Sequence, residues 1–356
     1  MAGSVIERAK PPKVGIKDVS REAGVAISTV SHVLNGTAPI SSAVRARVLD
    51  VARRLGYLAR RQAMGAIGAL QAVVVAMPPD TLAQTSLNLV SWTILKALGS
   101  ACEARGIRLV PHAIDAAGDA NGLLDALATS QADGLLLLNI DRPELIDAIA
   151  AADIAAVLLN SEDSRMRLDS VTPGNRFGAC LATNWLIGQG HRQILHVTWQ
   201  GRTTIRRRAE GFCDAFADHG LPPENARFCY ARSWEPEAGE AAVTAWLDQH
   251  NGLDGVTAIF CAADNLALGV MRALTARGLN VPGDVSLMGF DGIAPGQFAA
   301  PSLSTVNVPL EQLGAAALNL LEQRLTSVGA PRATQKLELG CDLVLRDSAP
   351  APPTIA

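Results

Sequence analysis

Three polar residues close short apolar runs: Asn139 ends ADGLLLLN, Asp264 ends VTAIFCAAD and Asp291 ends VSLMGFD. Carboxylates and amides at the ends of buried strands, with arginine nearby and an aromatic ring as a plate, suit bidentate hydrogen bonding to the hydroxyls of a sugar. Arg202 and Thr204 follow ILHVTW and reach towards the same place. This is the chemistry of holding a ligand. The patterns of group transfer and hydrolysis (GxxxxGK, GxSxG, HExxH, or GxGxxG leaving a strand) do not occur, which argues against an enzyme. Near the N-terminus, Ile27, Ser28, Thr29, Ser31 and His32 would share the exposed face of one helix, short groups that fit base edges and phosphates in a major groove.

The elements that must carry these residues follow from apolar spacing. In IKDVSREAGVAISTVSHVLNG, Val19 and Ala23 share one helix face, Gly24 ends that helix, Val25 packs as a staple, and Val30, Val33 and Leu34 stripe a second helix. That is a helix-turn-helix pattern. A third helix starts after Ser41, a good N-cap, and closes the core with Val44, Val48, Val51 and Leu55 before Gly56 and Tyr57. The spacing predicts an all-α head over 15–58, after a flexible start at 1–14 and before a linker at 59–70.

From Gln71 onward, continuous apolar runs alternate with amphipathic stretches, as parallel strands covered on both faces require. Two such series predict an α/β sensor of two doubly wound parallel-sheet subdomains, whose strand ends meet in a cleft. The predicted lobes are 71–172 with 300–330 crossing over, and 173–299 with 331–347, before a tail at 348–356. Asp264 directly precedes a predicted helix and could equally cap it.

Charge divides the chain in the same way. The first 63 residues hold 11 basic residues, Lys17 among them, against 4 acidic ones. That head is +7 in a chain of net −3, leaving −10 for the rest, and a basic head points to a polyanion such as nucleic acid. The six cysteines are dispersed, with no CxxC and no histidine at metal-ligand spacing, and read as small core residues of a reduced, cytosolic protein. No metal or cofactor is expected. Residues 1–13 lack the apolar segment of an export signal, and the longest apolar runs are strand-sized.

The opening segment, followed by SSAVRARVLDVARRLGY, resembles the LacI/GalR family, and the resemblance extends through GHRQILHV, RRRAEGF, AADNLALGVMRAL, VPGDVSLMGFDGI and PSLSTVNVP. It implies a cytoplasmic, nucleoid-associated repressor in which Ile27, Ser28 and His32 read bases while Thr29, Ser31 and Asn35 hold phosphates. In the sensor it implies that Arg208 clamps the effector, Asp291 accepts its hydrogen bonds, Trp234 stacks on it and Asn139 contacts it from the first lobe. The positions around Ser91 and Trp92 lack the family's common aromatic pair. Two further departures concern the head. Ala26 stands where a serine commonly caps the recognition helix. In the linker YLARRQAMGAIGAL, Ala59 and Ala66 replace the family's proline and minor-groove leucine. Arg60, Arg61 and Ala63 still suit a hinge against phosphates, with Met64 or Ile67 as the wedge.

The resemblance further implies a homodimer on a near-palindromic operator, released from DNA by a small sugar. Two other readings stay open: regulation by a corepressor or a partner protein within the same family, and, more remotely, a solute-binding protein without DNA function.

Overall fold

The structure is a computed structural model describing residues 14–35, 40–57, 70–81, 88–115, 118, 120–152, 154–326 and 333–349. The hinge residues Arg60, Arg61 and Ala63 lie outside the described residues.

The head opens with α1 (Ile16–Ala23), whose Asp18 carboxylate accepts the Gly15 N–H at 2.9 Å and so satisfies a donor at the helix start. Gly24 ends it at φ +64°, a left-handed backbone that a β-carbon would strain. The turn leads into α2 (Ile27–Asn35) and then α3 (Ser42–Arg54). Val19, Val30, Leu34 and Val48 are at most 1% exposed in the shared core. Ser41 does stand at the start of α3, but its side chain makes no capping bond. Gln71 joins head to sensor: its side chain accepts from Arg45 Nη2 at 2.8 Å and donates to the Leu34 carbonyl at 3.3 Å. Its backbone N–H is held by the Asp133 carboxylate at 2.7 Å.

Beyond the head the chain alternates strand and helix: β1 (Ala72–Met77), α4 (Leu89–Ala104), β2 (Arg108–Ala113), α5 (Ala120–Ser130), β3 (Gly134–Leu138), α6 (Pro143–Ala151), β4 (Ala156–Leu159) and β5 (Asp169–Pro173). The second series is α7 (Asn175–Gly188), β6 (Ile194–Trp199), α8 (Thr203–Asp218), β7 (Ala226–Ala231), α9 (Pro236–His250), β8 (Ala258–Cys261), α10 (Asp264–Ala276), β9 (Ser286–Asp291), α11 (Ala294–Gln297) and β10 (Ser304–Asn307). It closes with α12 (Leu310–Thr326), β11 (Lys336–Leu339) and β12 (Asp342–Val344).

Two six-stranded sheets result, in the orders β11-β5-β4-β3-β1-β2 and β12-β10-β9-β8-β6-β7. All pairs are parallel except β10 with β12. Every residue of β1, β3, β4 and β8 is buried, which is why those segments read as unbroken apolar runs.

The sheets divide the C-terminal part differently from the sequence expectation. β10 pairs with β9 and belongs to the second lobe, whereas β11 pairs with β5 and belongs to the first, so the chain crosses between lobes three times. The segments STVN and KLEL are short and half polar, too weak a pattern to assign before pairing is known. α12 packs on the first sheet and against α4, where Gly314 meets Leu98: a β-carbon there would lie 2.9 Å from the Leu98 backbone. In the second lobe, buried His196 stacks between Phe212 and Phe260 at 4.9 Å each, and burial lowers its pKa to about 4. Cys102, Cys229, Cys261 and Cys341 are buried as expected, but Cys180 is only half-buried and Cys213 is exposed on α8.

Candidate functional site

In each sheet, chain order reverses beside one strand: β1 lies between β2 and β3, and β6 between β7 and β8. Loops diverge at such points and leave a crevice at the strand C-termini. Between the lobes that crevice is a cavity of about 160 Å³. Each buried water needs roughly 10–15 Å³ on this measure, so the space is on the order of a single sugar ring or somewhat more.

The first-lobe wall is a relay of amides. Asn139 leaves β3 at φ +57° and Asn160 leaves β4 at φ +51°, a backbone that asparagine tolerates. Asn160 Nδ2 donates to Asn139 Oδ1 at 2.8 Å, and Asn139 Nδ2 donates to Ser91 Oγ at 2.7 Å, so each group is fixed in orientation.

The second-lobe wall is built on Arg208, which is 5% exposed. Its Nε donates to Asn175 Oδ1 at 2.9 Å, and its Nη1 donates to the Ala262 carbonyl at 2.5 Å and to Asp291 Oδ1 at 2.9 Å. The guanidinium carbon lies 3.7 Å above the Phe290 ring. Burial lowers the Arg208 pKa and raises that of Asp291, because both charges have left water. Behind this pair, Asp264 is fully buried. Its Oδ1 accepts from Thr305 Oγ1 at 2.6 Å and its Oδ2 from the Ile293 N–H at 2.8 Å. Desolvation, with the nearby Asp291 charge, pushes it up to about 8.

Of the eight effector residues read from the sequence, Asn139, Arg202, Arg208, Trp234 and Asp291 line the cavity. Three do not. Asp264 pins the loop that follows Asp291 from behind the wall, Thr204 is buried inside α8 while Ile205 faces the cavity, and Trp92 points away because its neighbour Ser91 takes the inward face of α4. Sequence reading passed over Asp80, Asn160, Trp199 and Asn265, which also line the space. Asn160 and Trp199 were open to the rule that found Asn139, since they end AAVLLN and ILHVTW. Asp80 follows β1 in a single turn over Pro79–Thr81 that carries no periodic signal.

Cross-lobe ion pairs frame the cavity. Arg202 Nε donates to Asp141 Oδ2 at 3.0 Å, and its Nη2 donates to the Asn160 carbonyl. Arg207 Nε donates to Glu162 Oε2 at 3.1 Å, and Lys336 Nζ meets the same oxygen at 2.9 Å. The two first-lobe carboxylates are nearly buried, 7% and 4% exposed.

In the head, α2 turns Ile27, Ser28 and His32 outward, with Ile27 at 43% exposure. Thr29 and Ser31 are half-buried beside them, and Lys17 is exposed on α1. Asn35 ends α2, though its side chain lies outside the described residues. Among the described residues, no group of three or more histidines, cysteines or carboxylates is placed to hold a metal.

Comparison with known proteins gives two family matches: bacterial regulatory proteins of the lacI family over residues 15–59, and a periplasmic binding protein-like domain over residues 183–349. The PurR transcriptional repressor of Erwinia tasmaniensis is 31% identical over 88% of this chain and 90% of its own length. The ribose operon repressor of Haemophilus influenzae is 28% identical over 94% and 98%. Among solved structures, a complex of the transcriptional regulator CelR with cellobiose superposes with TM-score 0.70 at 26% identity, covering 95% of this chain and all of the other. A lac repressor dimer bound to operator gives 0.68 over 96% and 100%, and at 24% identity speaks for the fold alone.

Proposed function

Because the chain belongs to the lacI family of bacterial regulatory proteins, we propose that it is a repressor of carbohydrate-utilisation genes that lets go of its operator when a small sugar occupies the cleft. The observation that carries this reading is the Arg208–Asp291 pair, buried and aimed into a cavity between two lobes, in a chain that also bears a helix-turn-helix. As a regulator rather than an enzyme, it acts through binding alone.

On this reading residues 15–58 form the DNA-binding head and 59–70 the hinge. Ile27, Ser28 and His32 face base edges; Lys17, Thr29, Ser31, Asn35 and the hinge residues Arg60, Arg61 and Ala63 face phosphates. A homodimer sets two recognition helices in successive major grooves of a near-palindromic operator. In the cleft, Arg208 and Asp291 fix the ligand from the second lobe, Asn139 and Asn160 from the first, and Trp234 stacks on it. A ligand touching both lobes favours one relative angle, and the first lobe, through Gln71, passes that angle to the head. The setting is the chromosome, within the cytoplasm; no helix among the described residues is long and apolar enough to cross a membrane.

The test is fluorescence anisotropy of the full chain on its own promoter DNA against a panel of sugars. Release by one sugar supports the reading. Tighter operator binding with ligand replaces it with a corepressor mechanism, and selective DNA binding with no response to any sugar removes the carbohydrate effector.

A further inference from the structure

Arg45 belongs to the basic head, yet it does not stand out in solvent as Lys17 does. It is half-buried on α3 and donates through Nη2 to Gln71 Oε1 at 2.8 Å. The other end of the same amide, Gln71 Nε2, donates to the Leu34 carbonyl at 3.3 Å. Leu34 lies in the last turn of α2, where carbonyls have no partner within the helix. A residue of the sensor thus caps the recognition helix and ties it to α3 through one planar group.

Gln71 is itself held on both sides. Its N–H and that of Ala72 donate to Asp133 Oδ2 at 2.7 and 2.9 Å, and its carbonyl accepts from the Arg108 N–H at 2.8 Å. A backbone pinned in this way moves with β1 and the first sheet, so the amide carries the position of that sheet to Leu34 and Arg45. The contact does not obstruct reading. Ile27 and Ser28 begin α2 and Leu34 is near its end, while a recognition helix meets base edges with its N-terminal residues. The linker over 59–70, with Gly65 and Gly68 inside it, has little helix propensity of its own to orient the head.

We propose that Gln71 is a positioning residue for operator recognition: a cap supplied by the sensor that fixes the recognition helix on the first lobe, stays in place on DNA, and keeps Arg45 away from the phosphates. A head held in its bound orientation loses less conformational freedom when it meets DNA. This rests on the reading of the head as the operator-binding unit.

The experiment is fluorescence anisotropy of the full-length protein on its own promoter DNA over a series of salt concentrations, beside hydrogen exchange of the DNA-free protein. Gln71→Ala should weaken binding on the order of tenfold, the scale of two hydrogen bonds of which one comes from a charged group. Arg45→Ala should weaken it by a smaller factor and leave the slope of log affinity against log salt unchanged, whereas losing a phosphate contact lowers that slope by about 0.9. The double variant Gln71→Ala/Arg45→Ala should bind no more weakly than Gln71→Ala, because both changes break one clip. In Gln71→Ala, exchange should quicken in α2 and α3 and stay unchanged in β1 and β3. Native affinity in Gln71→Ala, a lowered slope in Arg45→Ala, or additive losses in the double variant overturn the proposal and leave the helix-turn-helix reading standing. Quickened exchange in β1 and β3 assigns Gln71 to the stability of the sheet and overturns the proposal as well. If the native protein binds no DNA selectively even at low salt, the reading of the head falls and this inference falls with it.

Discussion

Arg208 reaches three acceptors with one guanidinium, and what it holds is as much protein as ligand. Truncation to alanine strips Asp291 of its counter-charge inside the wall, and breaking a buried pair in this way costs about 3–5 kcal/mol. Arg208→Ala should therefore lower the melting temperature and abolish the effector response; an unchanged response in operator titrations would remove Arg208 from the site. The double variant Arg208→Ala/Asp291→Asn should recover much of the stability and none of the response, which separates the two roles. Asp264 supplies a pH test. Its folded pKa, about 8, lies above the ordinary carboxylate value, so the folded state holds a proton that the unfolded chain releases at lower pH. The contribution of Asp264 to stability is then fully present below about pH 4 and declines as pH rises towards 8. His196, lowered to about 4, acts in the opposite sense and weakens the fold as pH falls below about 6.5. Urea midpoints at pH 6.5 and 8.5 should fall for the native protein and fall less for Asp264→Asn; parallel losses would mean that Asp264 titrates normally.

Helices and strands account for what the sequence could and could not announce. β1, β3 and β8 are covered on both faces and therefore visible as unbroken apolar runs, while β10 and β11 take their places only by pairing with β9 and β5. The cleft residues that were read correctly end strong strands, and Asp80 was invisible because it sits on one turn between two elements. Thr204 and Asp264 were read as contacts because they follow the apolar runs ILHVTW and VTAIFCAA, yet tertiary packing turned both inward. In the head, the Ala26 carbonyl accepts from the Val30 N–H at 3.0 Å, which puts Ala26 at the start of α2 with no side chain to bond the open N–H groups of the first turn. Ala26→Ser should stabilise the head by about 1 kcal/mol and tighten operator binding correspondingly; an unchanged affinity would mean that another group already caps the helix. His32→Ala should relax preference at a single operator position, by about 1–3 kcal/mol, while Lys17→Ala should weaken all sequences alike and reduce the salt slope by about one.

The whole molecule is closed by its own charges. Arg202 with Asp141, and Arg207 with Glu162, bridge the lobes around the cavity, with both first-lobe carboxylates largely out of water and Glu162 held within its own lobe by Lys336. Glu162→Gln should loosen this closure, raising the radius of gyration of the ligand-free protein in X-ray scattering and moving the effector midpoint; identical scattering curves would assign these pairs no part in lobe closure. The three crossings between lobes bear on how the protein is made. β11 and β12 lie only three residues apart, yet one completes the edge of the first sheet and the other that of the second. During synthesis the head emerges and can fold early, whereas neither lobe can finish its sheet until the ribosome has released residues 336–344. A message cut short upstream of that point would yield a head without a working sensor, so the last strands serve as a checkpoint that a nascent chain passes before it can answer to a ligand.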